Sequence, residues 1–179
     1  MLPEDRRRHH LELVGAIAKS AQSASDLVTD TVSYPGLRAY AVTAENYAVL
    51  DGDTLTLLIP EVAGAIFPLR ADTRENPLFI DANDTSELVC RIALPPGYTR
   101  FPVLPESKHW VLPNNFGTLD YRVCVTTRPD GRREVCITRT LARASGEATP
   151  ELYPALLEYN RRFTHPSTHT LVAERAVAP

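Results

Sequence analysis

Two alternating runs on either side of a tight turn limit this chain more than any other feature. Residues 117–127 read GTLDYRVCVTT, residues 132–142 read RREVCITRTLA, and "TRPDGR" joins them. Pro129 presets a first turn position, Asp130 suits the second, and Gly131 accepts a positive φ. A three-residue loop of Pro129, Asp130 and Gly131 places Arg128 opposite Arg132, Val125 opposite Val135, Cys124 opposite Cys136 and Val123 opposite Ile137. One face of the pair then carries Tyr121, Val123, Val125, Val135 and Ile137. The other carries Arg122, Thr126, Glu134 and Thr138. This is the alternation of an antiparallel pair with one buried face.

Short runs bounded by turn residues continue the pattern. Strands are expected at Leu37–Thr43, Asn46–Leu50, Thr54–Ile59, Ala65–Arg70, Leu78–Asp81, Glu87–Leu94, Tyr98–Val103, Gly117–Thr127 and Arg132–Ala142, with a last one in "THTLVAE" at 168–174. Asp51-Gly52 is a further tight-turn signal. Many short, punctuated strands predict a mainly β chain, an antiparallel β-sandwich-like domain. The stretch "IALPPGYTRFPVLPE" holds prolines at 95, 96, 102 and 105. Proline cannot donate to a ladder, so Pro95 and Pro96 end one strand. Pro102 and Pro105 put Tyr98–Val103 at a sheet edge or a crossover.

Two helices frame the strands. "PEDRRRHHLELVGAIAKSAQ" starts with Pro3, Glu4 and Asp5, which suit a helix N-terminus, and sets Leu11, Val14, Ala18 and Ala21 on one stripe. Near the end, residues 150–164 read as a helix with Thr149 as N-cap and Leu152, Leu156, Tyr159 and Phe163 on one face. Pro166 stops it. The domain reading is a leading helix or linker over residues 1–26, the end of a preceding module, followed by one β domain over 27–179. "ARASGEATP" at 142–150 is a connector within it.

Composition narrows the function classes. Nineteen basic residues stand against 22 acidic ones, a net charge of −3, which gives no footprint for nucleic acid. The cluster Arg6, Arg7, Arg8, His9 and His10 reads as the solvated face of the first helix. No apolar run reaches the ~20 residues of a membrane span, and the first residues lack the apolar stretch of a signal peptide. The chain is therefore either cytoplasmic or an internal piece of a longer exported protein.

No residue pattern points to a reaction. Cys90, Cys124 and Cys136 lack the close spacing of a zinc site. A Cys124–Cys136 disulfide stays open, although the pair falls at a hydrogen-bonded position, and small half-buried hydrophobes are the favoured reading. His109 sits in "SKHW", read as a loop. His165 and His169 are four apart, but Pro166 breaks any shared helix face. Asp81 and Asp84 in "IDANDTSE" offer oxygen ligands without an EF-hand pattern. No cofactor and no metal is expected. The ligand-binding candidates lie in the loop 105–117. Trp110 stacks, and Asn114 and Asn115 hydrogen-bond, a carbohydrate or peptide.

One resemblance is carried by several segments in order: "RENPLFI" (74–80), "SELVCRIALPPGY" (86–98), "LPE" (104–106), "NNFGTLDYRV" (114–123), "ITRTLAR" (137–143) and "YPALLEYNRRFTHP" (153–166). Over residues 70–175 the chain resembles the C-terminal β-rich tail of bacterial transglutaminase-like proteins, which follows a papain-like core. The resemblance implies a non-catalytic accessory or docking domain, without the cysteine, histidine and aspartate of the core. The implied partner is a catalytic module of the same longer chain or another protein. The implied location is the periplasm or cell surface. A small cysteine-dependent enzyme with Cys90 as nucleophile is the remaining alternative.

Overall fold

The computed structural model describes residues 3–32, 37–60, 62–70 and 72–176. They fall into two units, Met1–Val49 and Leu50–Pro179. The first contains α1 (Pro3–Ile17), β1 (Ala21–Ser23), β2 (Val28–Asp30), β3 (Leu37–Ala39) and β4 (Val42–Ala44). Antiparallel ladders join β1 to β4 and β2 to β3. Among the described residues only Val14 and Leu27 of this unit are buried apolar side chains.

The expected helical stripe ends early. Leu11 is exposed, α1 stops at Ile17, and Ala21 starts β1. The Ala21 N–H turns back to Ala18 O at 3.1 Å, and the Ser20 hydroxyl donates to Glu45 O at 2.7 Å. Pairing of residues 21–23 with 42–44 thus overrides the helical periodicity. Arg6, Arg7 and Arg8 are exposed, as their reading as a solvated face requires. The expected strand Leu37–Thr43 is divided between β3 and β4, which serve different partners.

The larger ladder system begins with β5 (Val49–Asp51) and β6 (Thr54–Leu58). It continues through β7 (Leu78–Ile80), β8 (Asp84–Ala93), β9 (Tyr98–Val103), β10 (Lys108–Val111), β11 (Gly117–Thr127), β12 (Arg133–Arg143) and β13 (Gly146–Ala148). It ends with α2 (Tyr153–Thr164) and β14 (Thr170–Arg175). One four-stranded antiparallel sheet has the order β10-β11-β12-β8, a second β5-β6-β14-β9, and β13 pairs with β7. The fold is mainly β with antiparallel sheets, one helix at the start and one near the end.

The β11–β12 hairpin has the register that the turn chemistry dictates, with Val125 opposite Val135, Cys124 opposite Cys136 and Val123 opposite Ile137. Arg128 N–H donates to Arg132 O at 2.8 Å, Gly131 N–H to Arg128 O at 2.9 Å, and Gly131 has φ +80°. Leu119, Tyr121, Val135, Ile137 and Leu141 are buried on one face. At the far end of β11, Gly117 has φ +125°, and a Cβ there would lie 1.9 Å from Ala142 O. No other residue fits where the chain enters this sheet.

The prolines act as expected. Among the described residues β9 is an edge strand paired only with β14, and its register slips between Val172 and Glu174 and again between Glu174 and Arg175. Two expected strands are corrected. Ala65–Arg70 is not a strand. Its amides at Ile66 and Phe67 donate to Asn160 Oδ1 at 2.9 and 3.0 Å, and Phe67 O accepts from Asn160 Nδ2 at 2.9 Å. A helix side chain stands in for a ladder partner, and Pro68 offers no donor. In Asn46–Leu50, Asn46 adopts φ +54° in a turn, and only Val49 and Leu50 enter β5. Conversely, β1, β2, β10 and β13 are strands that periodicity does not reveal.

The second helix starts later than its sequence signal. Tyr153 is its first residue, no side chain caps it, and Thr149 and Pro150 form a preceding turn through Leu152 N–H to Thr149 O at 3.0 Å. Leu156 and Phe163 are buried as expected, joined by Tyr153 rather than by Leu152.

Candidate functional site

The four residues of β10 read as an edge strand once β11 is beside them. Trp110 is paired with Leu119 and Lys108 with Tyr121, so both point to the buried face of the sheet. "SKHW", expected as a loop, is therefore strand, and the ladder aims its tryptophan. The ring stands edge-on to Phe163 of α2, with centroids 6.0 Å apart at 84°. Phe163 stands edge-on to Tyr121 at 6.4 Å and 80°. Such aromatic pairs contribute about 0.5–1.5 kcal/mol beyond burial. They fix Trp110 from one side while it stays half-buried.

A cleft opens on its other side. A cavity of about 240 Å³ lies between Val103 and Leu104 at the end of β9, Lys108 and Trp110 of β10, and the turn after α2. Tyr121, Ser167 and Thr168 complete its lining. A shallower groove of about 520 Å³ shares Lys108 and Trp110 and runs along Glu158, Arg161, Arg162 and His165. The two share Lys108, Trp110, Ser167 and Thr168, so the only tryptophan of the chain lines both, and together they make one depression.

The walls are held by hydrogen bonds to backbone. Tyr121 Oη donates to Thr168 O at 2.8 Å, and Tyr159 Oη donates to Val111 O at 3.0 Å. Thr168 Oγ1 donates to Phe163 O and His165 O, both at 2.7 Å, which closes the turn after the helix. His165 Nδ1 accepts from the Ser167 N–H at 3.3 Å. His165 is thus a turn cap and His169 lies past a 3₁₀ turn, so Pro166 does separate the two rings. Burial first, and then the nearby Cys90, push the Tyr121 hydroxyl up to about 12 against the pull of Arg139. At neutral pH it is a fixed, neutral donor.

The rim is charged. Lys108 pairs with Glu106 at 3.1 Å and Arg162 with Glu158 at 2.8 Å. Both pairs are exposed, so a ligand exchanges them at little cost. Arg161, exposed, makes no carboxylate pair among the described residues. Three cations against two carboxylates make the depression positive in a chain whose net charge is −3.

Asn114 and Asn115 lie beyond the end of β10, outside the lining of both hollows. They occupy the 3₁₀ turn Pro113–Asn115 at φ +52° and +57°, a conformation asparagine tolerates. Asn114 Nδ2 donates to Glu147 O at 3.2 Å. Lys108, Arg161, Arg162, Ser167 and Thr168 were not singled out in the sequence. The two adjacent arginines ending α2 beside a proline-bounded turn were the available signal.

The other candidates disperse. Cys90 faces Ile137 on the buried side of the sheet, while Cys124 and Cys136 lie on the opposite face. Asp84 is held by Arg143 through two 2.8 Å contacts, which lower its pKa and occupy the oxygens that a calcium ion would need. Among the described residues no three histidine, cysteine or acidic side chains converge as metal ligands. A hollow of about 590 Å³ in the first unit is lined by Arg6, Arg7 and His10, whose ring stands edge-on to Tyr40, and among the described residues Leu27 is the one buried apolar residue in its lining. Against known proteins, no family model, no curated protein and no solved structure matches this chain.

Proposed function

We propose that this chain is a non-catalytic docking module that binds an acidic peptide segment carrying an apolar or aromatic side chain. The observation that carries this reading is the half-buried Trp110 in a positive depression whose walls are fixed by Phe163, Tyr121 and Thr168. The aromatic side chain of the segment enters the cavity beside Trp110. Its carboxylates meet Arg161, Arg162 and Lys108 at the rim. Val111 O on the outer edge of β10 is already taken by Tyr159, and this reading places recognition on side chains rather than on an added strand. The amide expected to serve a sugar beside the tryptophan is engaged elsewhere, since Asn114 Nδ2 donates to Glu147 O.

The resemblance of residues 70–175 to the tail of bacterial transglutaminase-like proteins supports the same reading. It makes the partner a catalytic module, in the same longer chain or in another exported protein, and the domain a sandwich that serves it. No group in the depression acts as a base or nucleophile in this proposal.

Trp110 is its own reporter. Its emission is followed while short peptides rich in glutamate and ending in phenylalanine are added, with lysine-rich peptides as control. The expected result is a saturable, salt-sensitive response to the acidic series, weakened about tenfold in the Arg161→Ala, Arg162→Ala double variant, and no binding heat in calorimetry of Trp110→Ala, which has no tryptophan emission of its own. No response to any peptide, or one indifferent to the two arginines, overturns it. Hydrolase or transferase activity that disappears in Cys90→Ala would replace it with the enzyme reading.

A further inference from the structure

Cys124 and Cys136 face one another across the central hairpin, on the face that carries Arg122, Thr126, Glu134 and Thr138. Cys124 is exposed and Cys136 half-buried, and both are free thiols. β10 ends at Lys108 opposite Tyr121, so its ladder does not reach Cys124. Counting from Arg128 and Arg132, whose N–H to O contact is 2.8 Å, the cysteines form a hydrogen-bonded pair. Cα atoms there stand ~5.5 Å apart, inside the span a disulfide bridges, while the side chains point less directly at one another. Disulfides that are strained or exposed are more easily reduced than structural ones.

We propose that Cys124 and Cys136 form a reversible dithiol–disulfide site that exchanges with low-molecular-weight disulfides. The exposed Cys124 thiolate attacks one sulfur of the small disulfide. That S–S bond breaks, a thiolate leaves, and Cys124 is held in a mixed disulfide. The Cys136 thiolate then attacks the Cys124 sulfur and releases the second thiolate. The protein gives up two electrons and two thiol protons, and the small disulfide becomes two thiols. The order follows from the surroundings. Burial first, and then the adjacent Cys124, push the Cys136 thiol up, so it is the weaker first nucleophile. Once Cys124 is capped, its repulsion is gone, and exposed Arg91, the Cα partner of Cys136 on β8, favours the second thiolate against Glu134. Cys90 is excluded because it faces Ile137 on the other side of the sheet.

The chain reports this directly. Equilibration in oxidised and reduced glutathione, acid quenching, alkylation and trypsin digestion separate the thiols into peptides 75–91, 123–132 and 134–139. Under oxidising ratios, peptides 123–132 and 134–139 are expected to appear joined, dithiothreitol to part them, and peptide 75–91 to stay alkylated. Cys136→Ser is expected to stop at a glutathione adduct on Cys124. Arg91→Ala is expected to slow conversion of that adduct several-fold while leaving its formation unchanged. Alkylated Cys124 and Cys136 at every ratio, adducts without a bridge in the native chain, or a bridge to peptide 75–91 overturns the proposal. The native chain alone decides this, whatever the variants do to folding.

Discussion

The two units solve the same problem with unequal means. In the second, two four-stranded sheets and a helix bury Tyr121, Tyr153, Phe67, Phe116 and many aliphatic side chains. In the first, strands of three residues and a helix bury Val14 and Leu27. Burial of a large apolar side chain contributes about 1.5–3 kcal/mol, so local order in the first unit is set by a handful of contacts and in the second by many. The difference teaches where sequence patterns bind the chain. A pattern that feeds a large core is enforced at each position, whereas one that feeds two side chains is overruled by a turn or a short ladder.

The strongest way to break the comparison is Gly117→Ala. The new methyl group meets Ala142 O and the residue must hold φ +125°, so a loss of about 3–5 kcal/mol is expected in denaturant unfolding of the second unit. A loss below about 1 kcal/mol means that β11 and β12 shift apart more easily than this packing implies. Next comes Asn160→Ala, which leaves Ile66 N–H, Phe67 N–H and Phe67 O without their partner. A cost of about 2–3 kcal/mol is expected, with faster hydrogen exchange at Ile66 and Phe67 than elsewhere in the unit. In the first unit, Val14→Ala is expected to cost about 1 kcal/mol, read as faster exchange of α1 amides with no change in the β11–β12 hairpin. Slowed exchange in α1 relative to the hairpin would reverse the contrast.

The same division explains what could be read in advance. The β11–β12 register followed from Pro129, Asp130 and Gly131 because turn chemistry is local and alternation propagates it. The edge position of β9 followed from Pro102 and Pro105 because a missing donor is a property of one residue. β10 was opaque, since four residues between Pro105 and Pro113 become a strand only when β11 is beside them. Residues 65–70 misled because alternation does not say whether a ladder or Asn160 will satisfy the amides. Of the depression, Trp110 is legible as an aromatic stacking candidate. Its other walls come from residues 103–104, Tyr121 and the helix–turn segment 158–168, which no local pattern joins.

The smallest expected effect tests whether charge at the rim of the large unit matters beside its core. Asp84 and Arg143 are Cα partners at one end of the β8–β12 ladder. The Arg143 hydrogen bonds hold the Asp84 carboxyl below the usual range against desolvation, with the charge of Arg143 a smaller help. A pKa lower in the folded state means that stabilisation is complete above the unfolded value near 4 and fades as pH falls through the folded value. Asp84→Asn is therefore expected to lower stability slightly at pH 7 and by progressively less as the pH is taken from 4 toward 2. The pair is exposed, so salt shrinks the difference further. An equal loss across that range would place the role of Asp84 in the shape of the strand end rather than in its charge, and would leave burial and ladder geometry as the whole difference between the two units.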